Sequence, residues 1–511
     1  MSDPSPGPAA HRGWLAAAAL ALLWGIGPAI PALFEGGLLG HPWTDLYPSA
    51  WGLHWFVSHQ PGLPLHAPEI GWPEGMGFYY SSPIHGWLAW PLVAAGVDLA
   101  WVYDLLVLAA RVAGVLTAFG WLKAEGLEDR GALAGTALYA CAAIFHGYAV
   151  EGIVEGVDAW TLPLWGLCVA RRRPVASIFA FAGVIASSWY LGAAALLVAA
   201  VRARETRHVA ISAAGGTLLA LPLFLAFQGA FPDAAPLDPA VRAAMGTPVR
   251  IPTPGVLPGV NPFALTSYVG WLGCGLLLLG ARRRPWLAAG AGFAWVLSLG
   301  VGPWYDLPGL SMIRFPYRLV AATLFLAAPV VGVAVDAVSR RSRWAGLAAP
   351  LIALEAWLLS PVDPLIPASS ADVPAIYAEV EPTVLLEVPG PVALPPGVRN
   401  PSRPRARYLL WYATLHGAAS PWRPDFNAMA PTEEPTWLAS WRNVDPVGRQ
   451  AGGNAPPTPD IAGTRAAQVR QIMVHEDEVG AARAKSIYGA LFASGARLVA
   501  SEGDLNLYLL P

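Results

Sequence analysis

The sequence predicts an all-α polytopic membrane bundle of about eleven transmembrane helices, followed by a soluble C-terminal α/β domain. Three observations support this fold class. Hydrophobic residues make up 55% of the 511 residues and charged residues only 13%, about half of the charged share of a soluble domain. Long apolar stretches recur along residues 1–360. From Pro361 onward the chain becomes rich in proline and carries an ordinary share of charged residues.

The apolar stretches are the candidate membrane spans. The first runs from Trp14 to Phe34, which suits a spanning helix and is long for a signal-peptide core, so we interpret it as an uncleaved anchor, with cleavage as the alternative. Three runs between residues 160 and 201 are each too short to span alone, so we expect tilted half-helices broken at Pro174 and at Ser187–Ser188. The complete set lies at 14–34, 99–122, 131–150, 160–170, 175–187, 189–201, 209–228, 264–281, 286–302, 319–338 and 344–360.

The basic residues determine the expected orientation. With the N-terminus in the cytoplasm, the inner segments hold 15 Arg and Lys residues, whereas the outer segments up to residue 360 hold 4. Cytoplasmic loops of membrane proteins carry such an excess. We therefore expect a multi-pass membrane protein with its N-terminus in the cytoplasm. Its transmembrane domain covers 1–360, with a long first outer loop at 35–98, and its extracytoplasmic domain covers 361–511. The four outer arginines are Arg242, Arg250, Arg314 and Arg318.

The tail is expected to contain one early strand and then, near its end, a strand, a helix and two further strands. This order of elements predicts an α/β domain. The expected strands lie at Val384–Val388, Ile472–His475, Arg497–Ser501 and Leu505–Leu510, and the expected helix lies at Asp477–Ser494.

Several classes of function are disfavoured by composition and motif content. The net charge of −2 argues against a nucleic-acid partner, which requires a basic face. All three cysteines lie in apolar runs, so we expect neither a disulfide framework nor a thiolate metal site. The sequence contains no P-loop, no GxSxG motif and no HExxH motif.

The start of the first outer loop carries a candidate catalytic acid. Asp45 follows the first span closely, and Trp51, His54 and Trp55 come after it at helical spacing, which predicts a helix along the membrane surface with its indoles at the interface. Asp45 is either the cap of this helix, with Thr44 beside it, or a general base at the boundary between water and lipid. His54 and Trp55 are candidate substrate-binding residues.

The second outer loop carries three acidic residues. Glu151, Glu155 and Asp158 are spaced so that a continuous helical turn would place their carboxylates on one face. Carboxylates held close together repel one another unless they share a proton, a cation or an arginine. Oxygen ligands suit Mg²⁺ or Mn²⁺, so these residues form a candidate metal site. The alternative is a solvated helix end with scattered acids.

Arginine is rare on the outer side, so Arg314 and Arg318 are exceptions that require an explanation. One explanation is that a guanidinium faces a lipid phosphate or a pyrophosphate. Interfacial anchoring, or an ion pair with Asp306, is the alternative. Inside the second apolar stretch, Asp104 and Arg111 lie on one helix face two turns apart, which predicts an intramembrane charge pair with a structural role.

Taken together, the outer loops resemble those of the GT-C superfamily of membrane glycosyltransferases. These enzymes transfer a sugar from a polyprenyl-phosphate carrier, with inversion, on the outer face of the membrane. The likeness spans most of the chain, and its specific part is Pro308–Leu319, PGLSMIRFPYRL, which is similar to a signature of bacterial members with a soluble tail. The other matching features are Thr44-Asp45-Leu46 in a long first loop, Pro73-Glu-Gly-Met-Gly ahead of Ser82-Pro-Ile-His-Gly-Trp87, and an acidic second loop that leads into Trp160-Thr-Leu-Pro-Leu-Trp165.

The resemblance implies a location in a bacterial inner (cytoplasmic) membrane, and it implies roles for the candidate residues. Asp45 aligns with the catalytic base of the family. An acidic pair in the second outer loop holds a divalent metal in the oligosaccharyltransferase branch, and Glu151, Glu155 and Asp158 occupy the comparable place. One departure is that protein mannosyltransferases show two adjacent acids in the first loop, whereas Asp45 stands alone.

Three functions fit a bundle of this size. The first is a glycosyltransferase whose partners are membrane lipid and a polyprenyl-phosphate sugar donor. The second is a transporter of a lipid or glycan, which the absence of an inverted repeat and the scarcity of intramembrane polar residues disfavour. The third is a non-catalytic assembly or binding protein with the same fold.

The orientation is testable with reporters at the C-terminus. An alkaline-phosphatase fusion at Pro511 should be active, because the excess of inner basic residues places the tail outside. A fluorescent reporter that matures only in the cytoplasm should be dark at the same position. A bright cytoplasmic reporter there would overturn the orientation.

Overall fold

The computed structural model describes residues 8–42, 45–77, 82–230, 266–300, 302–307, 310–313, 315–360, 362–390, 405–422, 435–441 and 458–511. The α-helices in these ranges are α1 (Pro8–Leu20), α2 (Ile30–Glu35), α3 (Leu46–Ser58), α4 (Pro83–Ala94), α5 (Leu99–Ala124), α6 (Asp129–Ala140), α7 (Ala143–Glu151), α8 (Val154–Val157), α9 (Thr161–Ala170), α10 (Pro174–Ser187), α11 (Trp189–Arg202), α12 (Arg207–Ala230), α13 (Trp271–Ala281), α14 (Pro285–Ser298), α15 (Val320–Ser339), α16 (Ala348–Leu358), α17 (Arg405–His416), α18 (Thr436–Ala439), α19 (Ile461–Ala466), α20 (Glu476–Val479) and α21 (Ala481–Ala493). The strands are β1 (Leu38–Leu39), β2 (His66–Ala67), β3 (Met76–Gly77), β4 (Ala368–Ser369), β5 (Leu385–Val388), β6 (Gln471–His475), β7 (Arg497–Glu502) and β8 (Leu505–Leu509).

The chain divides into two compact units. The membrane unit consists of Met1–His41 and Ser81–Ser370, and the tail unit consists of Pro42–Tyr80 and Ala371–Pro511. The sequence predicted a boundary near residue 360, with the whole first loop assigned to the transmembrane domain. In the structure the middle of that loop clusters with the C-terminal residues instead. Within the tail unit, α3 packs against α17, a contact between segments far apart in sequence.

Within the described residues, four helices of the membrane unit are long and apolar enough to cross a bilayer: His11–Glu35, Leu99–Ala124, Arg207–Ala226 and Pro316–Ser339. Helices α6 and α7 form a further candidate, bent by 41° between them. The shorter apolar helices are α10, α11, α13 and α14. The expected break between α10 and α11 is confirmed at Ser188, whose backbone is extended. A count of about eleven spans therefore depends on how the short helices are counted.

Helix α15 forms the centre of the membrane unit. It is buried along almost its whole length and contacts α6, α11, α13 and α14. Its crossing with α6 depends on two glycines, because a Cβ on Gly131 would collide with the Gly332 carbonyl and the Asp336 carboxylate. Asp336 in turn accepts hydrogen bonds of 2.9 Å from the backbone N–H groups of Glu128 and Gly131. A side chain of α15 thereby satisfies donors at the start of α6.

The first span contains a π-helical turn at Ala21–Ile26, which leaves carbonyl groups outside the regular α-helical pattern. Buried Arg111 of α5 donates to two of them, from Nε to the Gly25 carbonyl at 3.0 Å and from Nη2 to the Trp24 carbonyl at 2.5 Å. Asp104 instead accepts from the Leu39 N–H at 2.8 Å. The predicted pairing of Asp104 with Arg111 is therefore wrong. Each side chain bonds to backbone on the N-terminal segment.

The tail unit contains a four-stranded sheet in the order β5-β6-β8-β7. Strand β5 runs parallel to β6, and the other two pairs are antiparallel. All residues of β5 and β6 are buried. Alternate residues of these strands belong to two separate hydrophobic clusters, with Leu386 and Ile472 in one and Leu385 and Met473 in the second. The four strands lie where the sequence predicted them. The predicted helix is divided into α20 and α21 at Gly480, where a φ of 80° ends the first piece.

A buried polar cluster joins β5 and β6 to the turn before them. Glu387 accepts from the Tyr377 hydroxyl at 2.9 Å and contacts His475 Nε2 at 2.7 Å. Burial opposes the charged form of His475, but the Glu387 carboxylate outweighs burial and raises the pKa of His475 above its ordinary value. The cluster fixes polar side chains inside an otherwise apolar core.

The close crossing of α6 and α15 gives a stability prediction. Gly131→Ala should destabilise the membrane unit by about 1–3 kcal/mol, because the methyl group overpacks the contact with Asp336. Gly114→Ala in α5 is the matched control, since its Cβ would meet no atom within 4 Å. Thermal unfolding of the purified protein in detergent measures both. Equal transition temperatures for the two variants would contradict the close-packing account.

Candidate functional site

Asp45 precedes α3 and occupies the position of its N-cap. The Asp45 carbonyl accepts the first helical hydrogen bond, from the Ser49 N–H at 2.8 Å. Its carboxylate, however, makes no capping hydrogen bond with the helix. The side chain is half-buried at the start of a helix that is itself largely buried. The capping interpretation of Asp45 therefore lacks its defining hydrogen bond, while Thr44 lies outside the described residues.

The two other candidates on α3 differ in their surroundings. Trp55 is buried, stacks on Trp51 with a centroid separation of 6.3 Å, and donates from Nε1 to the Glu69 carboxylate at 3.1 Å. Its indole N–H is therefore already used within the tail unit. Burial, and secondarily the neighbouring His59, lowers the pKa of His54, so its imidazole is neutral near pH 7. The expectation of indoles at a lipid interface does not fit buried Trp51 and Trp55.

The second outer loop does not form one continuous helix. Helix α7 ends at Glu151, and Gly152 adopts the left-handed conformation with φ 68° and ψ 26°. Glu155 belongs to the next short helix, and Asp158 begins a 3₁₀ turn. The prediction that the three carboxylates share one helical face is therefore wrong. Within the described residues, no group of three or more His, Cys, Asp or Glu side chains is arranged to hold a metal ion.

Asp158 is fully buried and has polar partners from two segments of the membrane unit. It accepts from the Ser82 hydroxyl at 2.9 Å and from the Trp160 indole at 3.1 Å, and His85 Nδ1 lies 3.5 Å away. Ser82 and His85 stand at the start of α4, where Pro83 occupies the first turn. The sequence analysis singled out this Ser-Pro-Ile-His segment as a motif but assigned it no role. His85 Nε2 is buried and has no hydrogen-bond partner in the described part of the chain.

Arg318 forms the principal charge contact of the second loop. It is 5% exposed, and its Nη1 donates to the carboxylate of Glu155. Its guanidinium carbon lies 4.4 Å from the ring centre of Tyr190, 5.6 Å from that of Tyr148 and 5.0 Å from that of Phe315. Aromatic faces stabilise a desolvated cation. The positive charge of Arg318 is thus fixed in position by the Glu155 carboxylate and by the aromatic rings around it.

The predicted partner of the outer arginines was Asp306 or a lipid phosphate. In the structure the acid that pairs with Arg318 is Glu155, 163 residues away in sequence. The 3₁₀ turns at Pro303–Asp306 and Pro316–Leu319 flank this region. Arg314, Arg242 and Arg250 lie outside the described residues.

The buried ion pair gives a prediction about stability. Arg318→Met and Glu155→Gln should each destabilise the protein by about 3–5 kcal/mol, because each leaves an uncompensated buried partner. The double variant should lose clearly less stability than the two single variants lose in sum. Thermal unfolding in detergent, arranged as a double-mutant cycle, measures the coupling between the two residues.

The exposed pair of Arg340 and Glu128 is the matched control for that cycle, with side chains 69% and 55% exposed. Its coupling should be at most about 1 kcal/mol, because solvent screens exposed charges. If the losses of stability caused by the Arg318 and Glu155 substitutions simply add, the coupling between the two residues is no larger than that of a surface ion pair.

Two solved structures resemble this chain over most of its length. One is a mutant of the arabinofuranosyltransferase AftD from Mycobacteria, with 17% identity, a TM-score of 0.59, and coverage of 98% of this chain and 41% of AftD. The other is the archaeal oligosaccharyltransferase AglB from Archaeoglobus fulgidus, in complex with an inhibitory peptide and a dolichol-phosphate. It shows 12% identity, a TM-score of 0.51, and coverage of 93% of this chain and 70% of AglB.

The two neighbours are membrane glycosyltransferases of the GT-C type, so the chain has a GT-C-like fold. It spans about two fifths of the length of AftD. At these identities the likeness concerns the fold alone. No protein-family model and no curated protein matches the sequence.

Proposed function

We propose that the protein is an inverting membrane glycosyltransferase that moves a sugar from a polyprenyl-phosphate carrier to an acceptor on the outer face of the membrane. The observation that carries the proposal is the buried guanidinium of Arg318, which aromatic rings surround, in a chain with a GT-C-like fold. A fixed cation that is held away from water suits the leaving phosphate of such a reaction. The AglB structure contains a dolichol-phosphate, which is consistent with a lipid-linked donor.

The reaction requires a proton acceptor and a site for the negative charge that leaves. The acceptor hydroxyl loses its proton as its oxygen attacks C1 of the sugar. The bond between C1 and the phosphate oxygen breaks, and its electron pair goes to the lipid phosphate. In this proposal Asp45 takes the proton from the acceptor hydroxyl, and Arg314 and Arg318 neutralise the negative charge of the leaving phosphate. His54 and Trp55 contribute to the acceptor side by shaping the helix that follows Asp45.

Arg318 is suited to this role by its hydrogen bonds. Nη1 is occupied by Glu155 and Nε lies 3.4 Å from the Tyr317 hydroxyl, whereas Nη2 has no hydrogen-bond partner within the described residues. A guanidinium fixed on one edge can still present its other edge to a phosphate oxygen. Glu155 offsets the cost of burying the charge before the donor arrives. Binding the donor therefore requires little rearrangement of the arginine.

A divalent cation does not enter the proposed mechanism. The candidate metal ligands were Glu151, Glu155 and Asp158, with Mg²⁺ or Mn²⁺ as the expected ion. Glu155 is engaged by Arg318, and Asp158 accepts from Ser82 and an indole. One oxygen of Glu155 and both oxygens of Asp158 therefore already have a cation or a hydrogen-bond donor as partner. Two of the three candidate ligands are engaged, which disfavours a metal ion shared by all three.

The proposed function also implies an orientation. The C-terminal residues, which carry the four-stranded sheet, lie outside the cytoplasm, together with the loops that hold Asp45 and Glu155. About eleven segments cross or enter the bilayer in this arrangement, including the short apolar helices. The excess of basic residues in the inner segments supports it.

The test of the proposal removes the base and preserves the fold. Asp45→Asn keeps the size of the side chain but cannot accept the proton, so transfer of radiolabelled sugar from lipid carrier in membranes should fall by about 10²–10⁴-fold. Expression level and elution volume in detergent show whether the variant folds.

Asp98→Asn is the matched control. Asp98 also precedes a helix, and its carboxylate accepts from the N–H groups of Ala100 and Trp101, a cap that Asn retains. Transfer by Asp98→Asn should equal that of the wild type. A well-expressed Asp45→Asn protein with near-normal transfer would exclude Asp45 as the base. A wild-type protein that transfers no lipid-linked sugar would favour the non-catalytic binding function.

A further inference from the structure

The tail unit contains an open cleft of about 570 Å³. A volume of this size falls in the range of small-ligand sites. Its lining comes from four segments of the unit that are distant in sequence: the first loop, the residues just before β5, the residues just after α17, and α19 with the turn that follows it. We call this cleft the tail cleft. The polar and aromatic side chains of its lining include Glu69, Trp72, Thr383, Arg465, Gln468 and Arg470.

The tail cleft combines apolar and hydrogen-bonding surfaces. Trp72 donates from Nε1 to the Ala467 carbonyl at 3.3 Å, a bond that holds its indole against the turn after α19. Pro68, Pro382 and Val384 extend the apolar part of the lining. The guanidinium groups and the Gln468 amide supply planar donors. Sugar rings have apolar faces edged with hydroxyl groups, so an aromatic ring beside planar polar side chains suits a saccharide.

The charges of the tail cleft favour an anion. The carboxylate of Glu69 is engaged, since it accepts from the Trp55 indole at 3.1 Å and lies 3.7 Å from His59 Nε2. Arg465 donates to the Ser494 carbonyl at 2.7 Å, and this contact leaves its positive charge uncompensated. Neither Arg465 nor Arg470 forms an ion pair with any residue that the structure describes. Two guanidinium groups on one cleft can bind carboxylate or phosphate oxygens bidentately.

The conformation of Gln468 is a second, independent observation. Its φ is 62°, the left-handed region that favours glycine. It lies just past the end of α19, where its N–H bonds to the Arg465 carbonyl and the Val469 N–H bonds to the Thr464 carbonyl. This is the Schellman arrangement, in which glycine is the usual residue at the position of Gln468. A non-glycine residue is strained at such a position, and here its side chain places an amide on the lining of the cleft.

We propose that the tail cleft binds an acidic saccharide, with the sugar against Trp72, its carboxylate or phosphate group on Arg465 and Arg470, and a hydroxyl group on the Gln468 amide. This inference goes beyond the transfer reaction, because binding at the cleft requires neither Asp45 nor a lipid-linked donor. In combination with transfer, it identifies an acidic glycan as the class of acceptor.

The experiment measures stability and binding in the same variants. The full-length protein in detergent is applied to an array of acidic oligosaccharides, bearing uronate or phosphate groups, and of neutral ones. Wild-type protein should retain acidic members and bind neutral ones at least about 10-fold more weakly. Arg470→Ala should weaken that binding by about 10-fold or more, because a charge-assisted hydrogen bond is lost.

Gln468→Gly separates the proposed role from a structural one. It relieves the left-handed strain, so the transition temperature should rise by roughly 2–4 °C while acidic saccharides bind more weakly. Arg172→Gly is the matched control, because Arg172 is the other non-glycine residue with positive φ in the described ranges, at 52°. It should raise the transition temperature without changing binding.

The same array with Asp45→Asn protein makes failure of the two proposals distinguishable. Unchanged acidic binding by this variant, whatever its transfer activity, supports the cleft as a separate site. The proposal is overturned if wild-type protein shows no preference for acidic members, or if Gln468→Gly and Arg470→Ala bind them as well as the wild type does.

Discussion

Hydrocarbon supplies no hydrogen-bond partner, so a buried polar group inside the membrane unit is costly unless it finds a partner within the protein. Several charged side chains of this unit find theirs on distant backbone. Arg111 bonds to carbonyls of the π-helical turn in the first span, and Asp336 bonds to N–H groups at the start of α6. Arg202 joins α11 to α5 through Glu125 at 2.6 Å. These polar contacts, in addition to apolar packing, determine which helices are neighbours.

The same constraint shapes the candidate site. A guanidinium as buried as that of Arg318 requires an acid, and Glu155 supplies it from the second loop. Asp158 is satisfied separately by Ser82 and the Trp160 indole. Acids that look alike in sequence therefore have different functions in the fold. One compensates a cation and another ties α4 to the loop. Glu155 and Asp158 are therefore engaged by different partners.

Much of the fold could be predicted from local sequence. The length of apolar runs indicates the helices of the membrane unit, and short apolar runs indicate strands of the tail unit, because these signals act within one element. Long-range pairing could not be predicted in this way. The spacing of Asp104 and Arg111 indicates a shared helix face but cannot show that each reaches backbone on another segment. Similarly, Gly152 ends α7 through a φ of 68°, which no spacing rule for acids includes.

The candidate site was predicted in part. Rare outer arginines and clustered acids identified Arg318 and Glu155 as unusual, because charge near a membrane is costly. Their mutual pairing was not anticipated, since 163 residues separate them. Ser82 and His85 carried no signal beyond a short motif. The inclusion of residues 42–80 in the tail unit was missed because the loop is continuous with the spans in sequence but packs with residues after 371.

The central claim is that the Arg314–Arg318 segment binds the phosphate of a lipid carrier. The most direct measurement is a density map of the full-length protein in lipid nanodiscs with polyprenyl phosphate bound. The account predicts density for the phosphate within hydrogen-bond distance of the Arg318 guanidinium, with the Glu155 contact retained. A phosphate bound away from both Arg314 and Arg318 would contradict it.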